Sequence, residues 1–130
     1  MSQMSIKPLG NYAFYGTLRM GMENHQVFAK TLVYLKTTTL QGYRMYSLAE
    51  YPYVIRTGVE SDSIVVDLFQ ITSGNTEEMI YEMEIDAGYV LSTVTIEGIK
   101  FGIYLFETTM TDDEVVEGGD WVSYTKSQFF

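Results

Sequence analysis

Apolar and polar residues alternate in short runs through most of this chain, a period that favours strands over helices. Asn11–Tyr15, "NYAFY", is a short aromatic strand that the pattern predicts to be central. Thr37–Leu40 and Tyr43–Leu48 are β-rich on either side of Gln41-Gly42. "EYPYVIRTG" is extended, because Pro52 keeps Tyr51 out of the α region and Gly58 closes the run. "SIVVDLFQI", Ser63–Ile71, is the most strand-like stretch, and Tyr89–Thr95 and Ile99–Glu107 read as strands around the turn at Glu97-Gly98. Helical spacing occurs twice. In Glu23–Leu35, Val27, Phe28 and Leu32 fit a short helix or helical turn. In "TSGNTEEMIYEMEIDAGY", Asn75 is placed as an N-cap, Glu78 follows where a capping-box acid belongs, and Met79, Ile80 and Met83 form an apolar face before Gly88. A helix from about Asn75 to Ala87 should be the longest. With no repeat, linker or low-complexity segment, residues 1–130 are expected to form one α+β domain.

Composition narrows the function classes. The chain contains no cysteine, which removes disulfides, thiolate metal sites and a cysteine nucleophile and suits a reducing compartment. Eight Lys+Arg against 17 Asp+Glu give a net charge of −9 with no basic stripe, so neither nucleic acid nor an anionic membrane is an expected partner. No apolar run approaches a membrane span, and "MSQMSIKPLG" lacks the regions of a signal peptide, so a soluble cytoplasmic location is expected. His25 is the one histidine and the acids are scattered, so no metal is implied. A small zwitterionic ligand remains compatible with the charge, given a local cation.

Two segments carry candidate chemistry. The first strand leads directly into Gly16, Thr17, Leu18 and Arg19. A glycine there admits close backbone approach, and amides turning inward after it form a nest for an anion or a developing oxyanion. Arg19 then has the fork geometry to grip a carboxylate. The plainer alternative is a tight turn at Gly16 with Arg19 in solvent. The second segment is acidic: Glu77, Glu78, Glu82 and Glu84 lie close together. At about 100° per residue, Glu84 and Glu82 each fall roughly 90° from the centre of the apolar face, on opposite flanks, so phase does not choose between them. Glu78 points nearly away from the core. A solvated, charged face accounts for all four equally well. Glu84 is favoured by its place in the last turn, beside Ile85–Gly88 and Tyr89.

"YGTLRMG" followed by "NHQVF" resembles the opening signature of the gamma-glutamylcyclotransferase-like superfamily, with the closest likeness to its gamma-glutamylamine cyclotransferase (AIG2-like) branch. "LQGYRMYSLAEYPYVIRTG", "SIVVDLFQI", the helix ending at Glu84 and "GGDW" (Gly118–Trp121) are similar to later family segments, in order, over nearly the whole chain. The chain departs from the pattern around Glu84. Ile80-Tyr81 stands for Leu-Asp, Ile85 for the glycine after the glutamate, and Tyr89-Val90-Leu91 for Tyr-x-Arg. The "SIVVDLF" strand also lacks the family's glycine and glutamate.

The resemblance implies a small mixed β-barrel with one or two flanking helices. It implies a cofactor-free enzyme that cyclises a γ-glutamyl amine or γ-glutamyl amino acid to 5-oxoproline and releases the amine. Glu84 would be the catalytic acid/base. Tyr15, Gly16, Thr17, Leu18, Arg19 and Tyr89 would bind the substrate. The departures leave room for a non-catalytic module that retains the pocket to bind a metabolite, and "SQFF" for a partner-binding one. The leaving amine and the oligomeric state are left open.

Overall fold

The computed structural model describes residues 10–108 and 112–129. Residues 1–9, which include most of "MSQMSIKPLG", and Phe130 of "SQFF" lie outside the described residues. Strand β1 (Asn11–Phe14) is central, as its aromatic-rich pattern predicts, in a five-stranded mixed sheet ordered β2-β5-β1-β7-β6. Its neighbours are β5 (Ser63–Ile71), antiparallel with Tyr12 opposite Phe69, and β7 (Ile99–Leu105), parallel through Tyr12 and Gly102. The edges are β2 (Leu32–Gln41) and β6 (Val90–Ile96). β6 and β7 form a hairpin whose turn residues, Glu97 and Gly98, both have positive φ, as a tight two-residue turn requires. A second sheet, β4-β3-β8, joins β3 (Tyr43–Ser47) to β4 (Pro52–Arg56) and β8 (Glu114–Val115).

The architecture is α+β, and the strands do not close into the expected barrel. At the seam where another ladder would run, Pro52 has no N–H, and its carbonyl accepts the Tyr89 hydroxyl. The amide of Phe106 donates to Val54 O across that seam at 2.9 Å, while the Arg56 guanidinium reaches Ser92 Oγ and Thr93 O on β6. Aromatic rings fill the space: Phe106 stacks on Tyr53, with centroids 4.5 Å apart, and packs tilted against Tyr89 at 4.7 Å. The outer strands β2 and β6 are the sheet's two edges, and an ion pair links Lys36 of β2 to Glu97 in the turn after β6.

Among the described residues, three α-helices flank the sheets: α1 (Glu23–Phe28), α2 (Gly74–Asp86) and α3 (Trp121–Phe129). α2 is the longest of them, as expected, but its cap is Ser73, whose Oγ accepts from the Thr76 amide, instead of Asn75. Its inward stripe is also rotated from the expected one. Met79 is exposed, while Thr76, Glu77 and Ile80 are buried. Glu77 turns inward because the Tyr12 hydroxyl and the Gly10 amide both donate to it. α1 is shorter than its apolar spacing implied, because Leu32–Leu35 belong to β2. α3 is an element the tail pattern did not reveal; it inserts Trp121 into the core, where the ring stacks on Tyr124. Among the described residues, no helix is long and apolar enough to cross a membrane.

Candidate active site

Beyond Phe14 the chain leaves the sheet in a turn closed by Arg19 N to Gly16 O at 3.0 Å. The carbonyl of Thr17 accepts from the amides of Asn24 and His25, and the Asn24 side chain donates to Thr17 Oγ1 at 2.7 Å. The start of α1 is thus fastened to the loop. Leu18 anchors the loop in the core. Among the described residues, the amides of Gly16, Thr17 and Leu18 donate to no protein acceptor. Such a row of unspent donors is what an anion or a polarised carbonyl needs. Gly16 is demanded by close packing: a Cβ there would sit 3.0 Å from Cγ and Cδ of Pro52. The neighbour that glycine admits in this structure is therefore the proline ring of β4.

The loop forms one wall of a cavity of about 360 Å³, within the size range of small-molecule sites. Tyr15, Gly16, Thr17 and Leu18 line it together with Glu84 and Tyr89, so the structure brings six of the seven sequence-predicted residues to one place. Arg19 is the seventh, and it is not among the lining residues. It is neither in solvent nor in the cavity. Its guanidinium is buried between Asp67 on β5, at 3.2 Å, and Asp120 before α3, at 2.8 Å. Asp67 also accepts from the Met20 amide and the Thr37 hydroxyl. Asp120 caps α3 through Ser123; burial opposes its ionisation, but the Ser123 amide and Arg19 hold its carboxyl below the usual carboxylate range. This network holds Arg19 through its Nε and Nη1, and the side chain does not line the cavity.

Glu84 is the chemically distinctive group. It lies on the inner flank of α2, one helical turn beyond Ile80, whereas Glu82 and Glu78 are exposed. It forms no ion pair or hydrogen bond with another side chain among the described residues. Burial alone therefore acts on it, pushing its pKa from the ordinary 4.5 up to about 7. That is the range in which a carboxylate exchanges protons at neutral pH. The phenols of Tyr15 and Tyr89 are pushed up, first by burial, and Glu84 adds to both shifts. Both hydroxyls are spent on carbonyls, Tyr15 on Tyr104 O and Tyr89 on Pro52 O, each at 2.5 Å.

Sequence reasoning missed several lining residues: Glu23, Asn24, Glu50, Tyr51, Met83 and Tyr104. Most had no local signal, since they face the cavity only through tertiary packing. Tyr104 did have one: it is the polar tip in the apolar run "FGIYL" of a strand whose last five residues are all buried.

The model of the family described as gamma-glutamyl cyclotransferase, AIG2-like, matches residues 12–123. The chain belongs to this family. Membership supports cyclotransferase-type chemistry in general terms, without specifying a substrate. No protein of curated function matches the sequence. Among solved structures, an uncharacterised Pyrococcus horikoshii protein superposes with a TM-score of 0.76 at 24% identity, covering 91% of this chain and 94% of that one. A mouse AIG2-like protein gives 0.60 at 12% identity over 79% and 80% of the two chains. Kluyveromyces lactis allophanate hydrolase gives 0.74 at 16% identity, covering 91% of this chain but 21% of that one. At these identities the likeness concerns the cyclotransferase fold, which is hosted by proteins of different size and name.

Proposed function

We propose that the protein converts a γ-glutamyl amine or γ-glutamyl amino acid into 5-oxoproline and the free amine. The observation that carries this reading is the desolvated, unpaired carboxylate of Glu84 sharing a cavity with the unspent amides of Gly16–Leu18. Glu84 takes a proton from the substrate's α-ammonium. The freed nitrogen pair attacks the γ-carbonyl carbon of the same molecule, and the carbonyl pair moves onto oxygen. On collapse the carbonyl reforms, the bond to the leaving nitrogen breaks, and Glu84 passes a proton to that nitrogen. The two protons shed by the α-ammonium end on the released amine, so the reaction consumes nothing else. The nucleophile is already tethered, and a site that holds the substrate curled gains its rate largely through effective concentration. The amides of the loop serve the substrate's anionic oxygens. Arg19, locked between two aspartates, acts on the substrate only through the loop it fastens.

The test is release of 5-oxoproline from a panel of γ-glutamyl amino acids and amines. Glu84→Gln should cut the rate about 10²- to 10⁴-fold with folding retained, while exposed Glu82→Gln should change it little. Equal losses would mean that the wrong carboxylate has been assigned. If calorimetry detects binding but no panel member is cyclised, the chain is a metabolite-binding member of the family.

A further inference from the structure

The cavity has to hold a charged substrate without a cation of its own. Among its described lining residues there is no Lys, Arg or His, while Glu23, Glu50 and Glu84 are all present, and Arg19 is held elsewhere by Asp67 and Asp120. The standing α-carboxylate of a γ-glutamyl compound must therefore be met by neutral donors. Where the loop after β1 reaches the first turn of α1, two lining residues touch: the Asn24 carboxamide donates from Nδ2 to Thr17 Oγ1 at 2.7 Å. Both residues are half-buried, so the contact stands at the cavity wall. A threonine hydroxyl has one proton and two lone pairs. The Asn24 N–H uses a lone pair and cannot take the proton, and among the described residues no other group accepts it. Fastening the loop to α1 needs only the accepting half of the hydroxyl, and the Thr17 carbonyl already secures it by accepting from the amides of Asn24 and His25. The donating half is left over, beside the unspent amides of Gly16–Leu18.

Resting on the function proposed above, we infer that Asn24 is a positioning residue: by occupying the accepting side of the Thr17 hydroxyl, it turns the proton toward the substrate's α-carboxylate. The hydroxyl then joins the loop amides as a donor to that group, and no proton is transferred. A carboxylate offers about four lone-pair sites on its two oxygens, enough for the hydroxyl and the loop amides together. Its charge is present before, during and after ring closure. The contact therefore acts on binding, and the chemical step gains nothing from it.

Two near-isosteric substitutions test this. Thr17→Val deletes the donor, and Asn24→Asp reverses the polarity, because a carboxylate only accepts and draws the Thr17 proton to itself. Each should raise KM about 10- to 100-fold, as expected for a hydrogen bond to a charged group, with kcat within about twofold. Thr17→Ser, which keeps a hydroxyl, should restore most of the affinity. Asn24→Asp should melt no lower than wild type, since an acid suits the first turn of α1 and the bond to Thr17 persists. A role confined to fastening the loop predicts full activity for that variant, so a wild-type KM there overturns the proposal. The added negative charge also repels a carboxylate wherever the hydroxyl points, and the double variant separates the two effects: with Val at position 17, Asn24→Asp should cost little more. An equal penalty with and without the hydroxyl overturns the proposal, as does a fall in kcat alone. A γ-glutamyl amine whose α-carboxylate is replaced by a carboxamide gives the second arm. Thr17→Val should barely change kcat/KM for that compound, and an undiminished loss would overturn the assignment to the α-carboxylate. If the wild-type protein releases no 5-oxoproline from any γ-glutamyl compound, the proposed function falls and this role with it. An active wild type with an unchanged KM in Thr17→Val sinks this role alone.

Discussion

Glu84→Gln should stabilise the protein while inactivating it, and the gain should depend on pH. Burial raises the Glu84 pKa from 4.5 to about 7, which corresponds to about 3 kcal/mol against the charged form in the folded state. The sign follows from proton counting. Between pH 4.5 and 7 the folded chain holds a proton at Glu84 that the unfolded chain has released, so stability falls as pH rises through this window. Below 4.5 both states are protonated and the penalty is absent; above 7 both are ionised and it is complete. The glutamine is neutral throughout. Glu84→Gln and wild type should therefore be similar near pH 4.5, with the variant ahead by up to about 3 kcal/mol at pH 8. In a domain of this size that is on the order of 10 °C in melting temperature. Thermal melts of both proteins across the pH range would show the curves diverging. In parallel, wild-type kcat/KM for 5-oxoproline release should climb about tenfold per pH unit below 7 and level off above it, as for a base that must be ionised. Parallel melting curves would refute the argument, because they would mean that the Glu84 carboxylate is hydrated in the folded protein.

Two further substitutions test the scaffold of the site. Arg19→Met removes the cation from between Asp67 and Asp120 and should cost about 3–5 kcal/mol, measured by urea denaturation; Arg19→Lys should recover only part of it, since one ammonium cannot reproduce the fork. Gly119→Ala should be still harder to accommodate, because φ is +64° and a Cβ would lie 2.2 Å from Ser63 O and 2.6 Å from the Ile64 Cα. A loss of at least about 3 kcal/mol is expected, and a midpoint within error of wild type would contradict the packing described between this turn and β5.

What could be read in advance was whatever is encoded locally. The strands announced themselves through β-branched and aromatic alternation, and Ser63–Ile71 was predicted with the bounds it has. α2 was placed to within a residue at each end, because capping residues before it and Gly88 after it bracket the segment, although the cap is Ser73 and the buried stripe is not the expected one. The errors have a common origin in partners far away in the chain. Glu77 looks like one more solvated acid until Tyr12, 65 positions earlier, is placed beneath it. Arg19 looks available for a ligand until Asp67 and Asp120, at separations of 48 and 101, close on it. Gly16 promised room for a ligand and instead admits Pro52. Open edges at β2 and β6 were equally invisible, since strand count and curvature do not say which carbonyls a side chain will occupy.

The Arg19 bridge also ties together the exchange behaviour of distant segments. The residue that caps α3 is the same one that grips the cation closing the Gly16–Arg19 turn. The loop therefore cannot swing away from the cavity without uncapping a helix a hundred positions downstream, and that helix cannot fray at its start without loosening the loop. Amide protons in the first turn of α3 and in the segment around Met20 should become exposed to deuterium in a single opening event with one free energy, although no contiguous stretch of chain connects them.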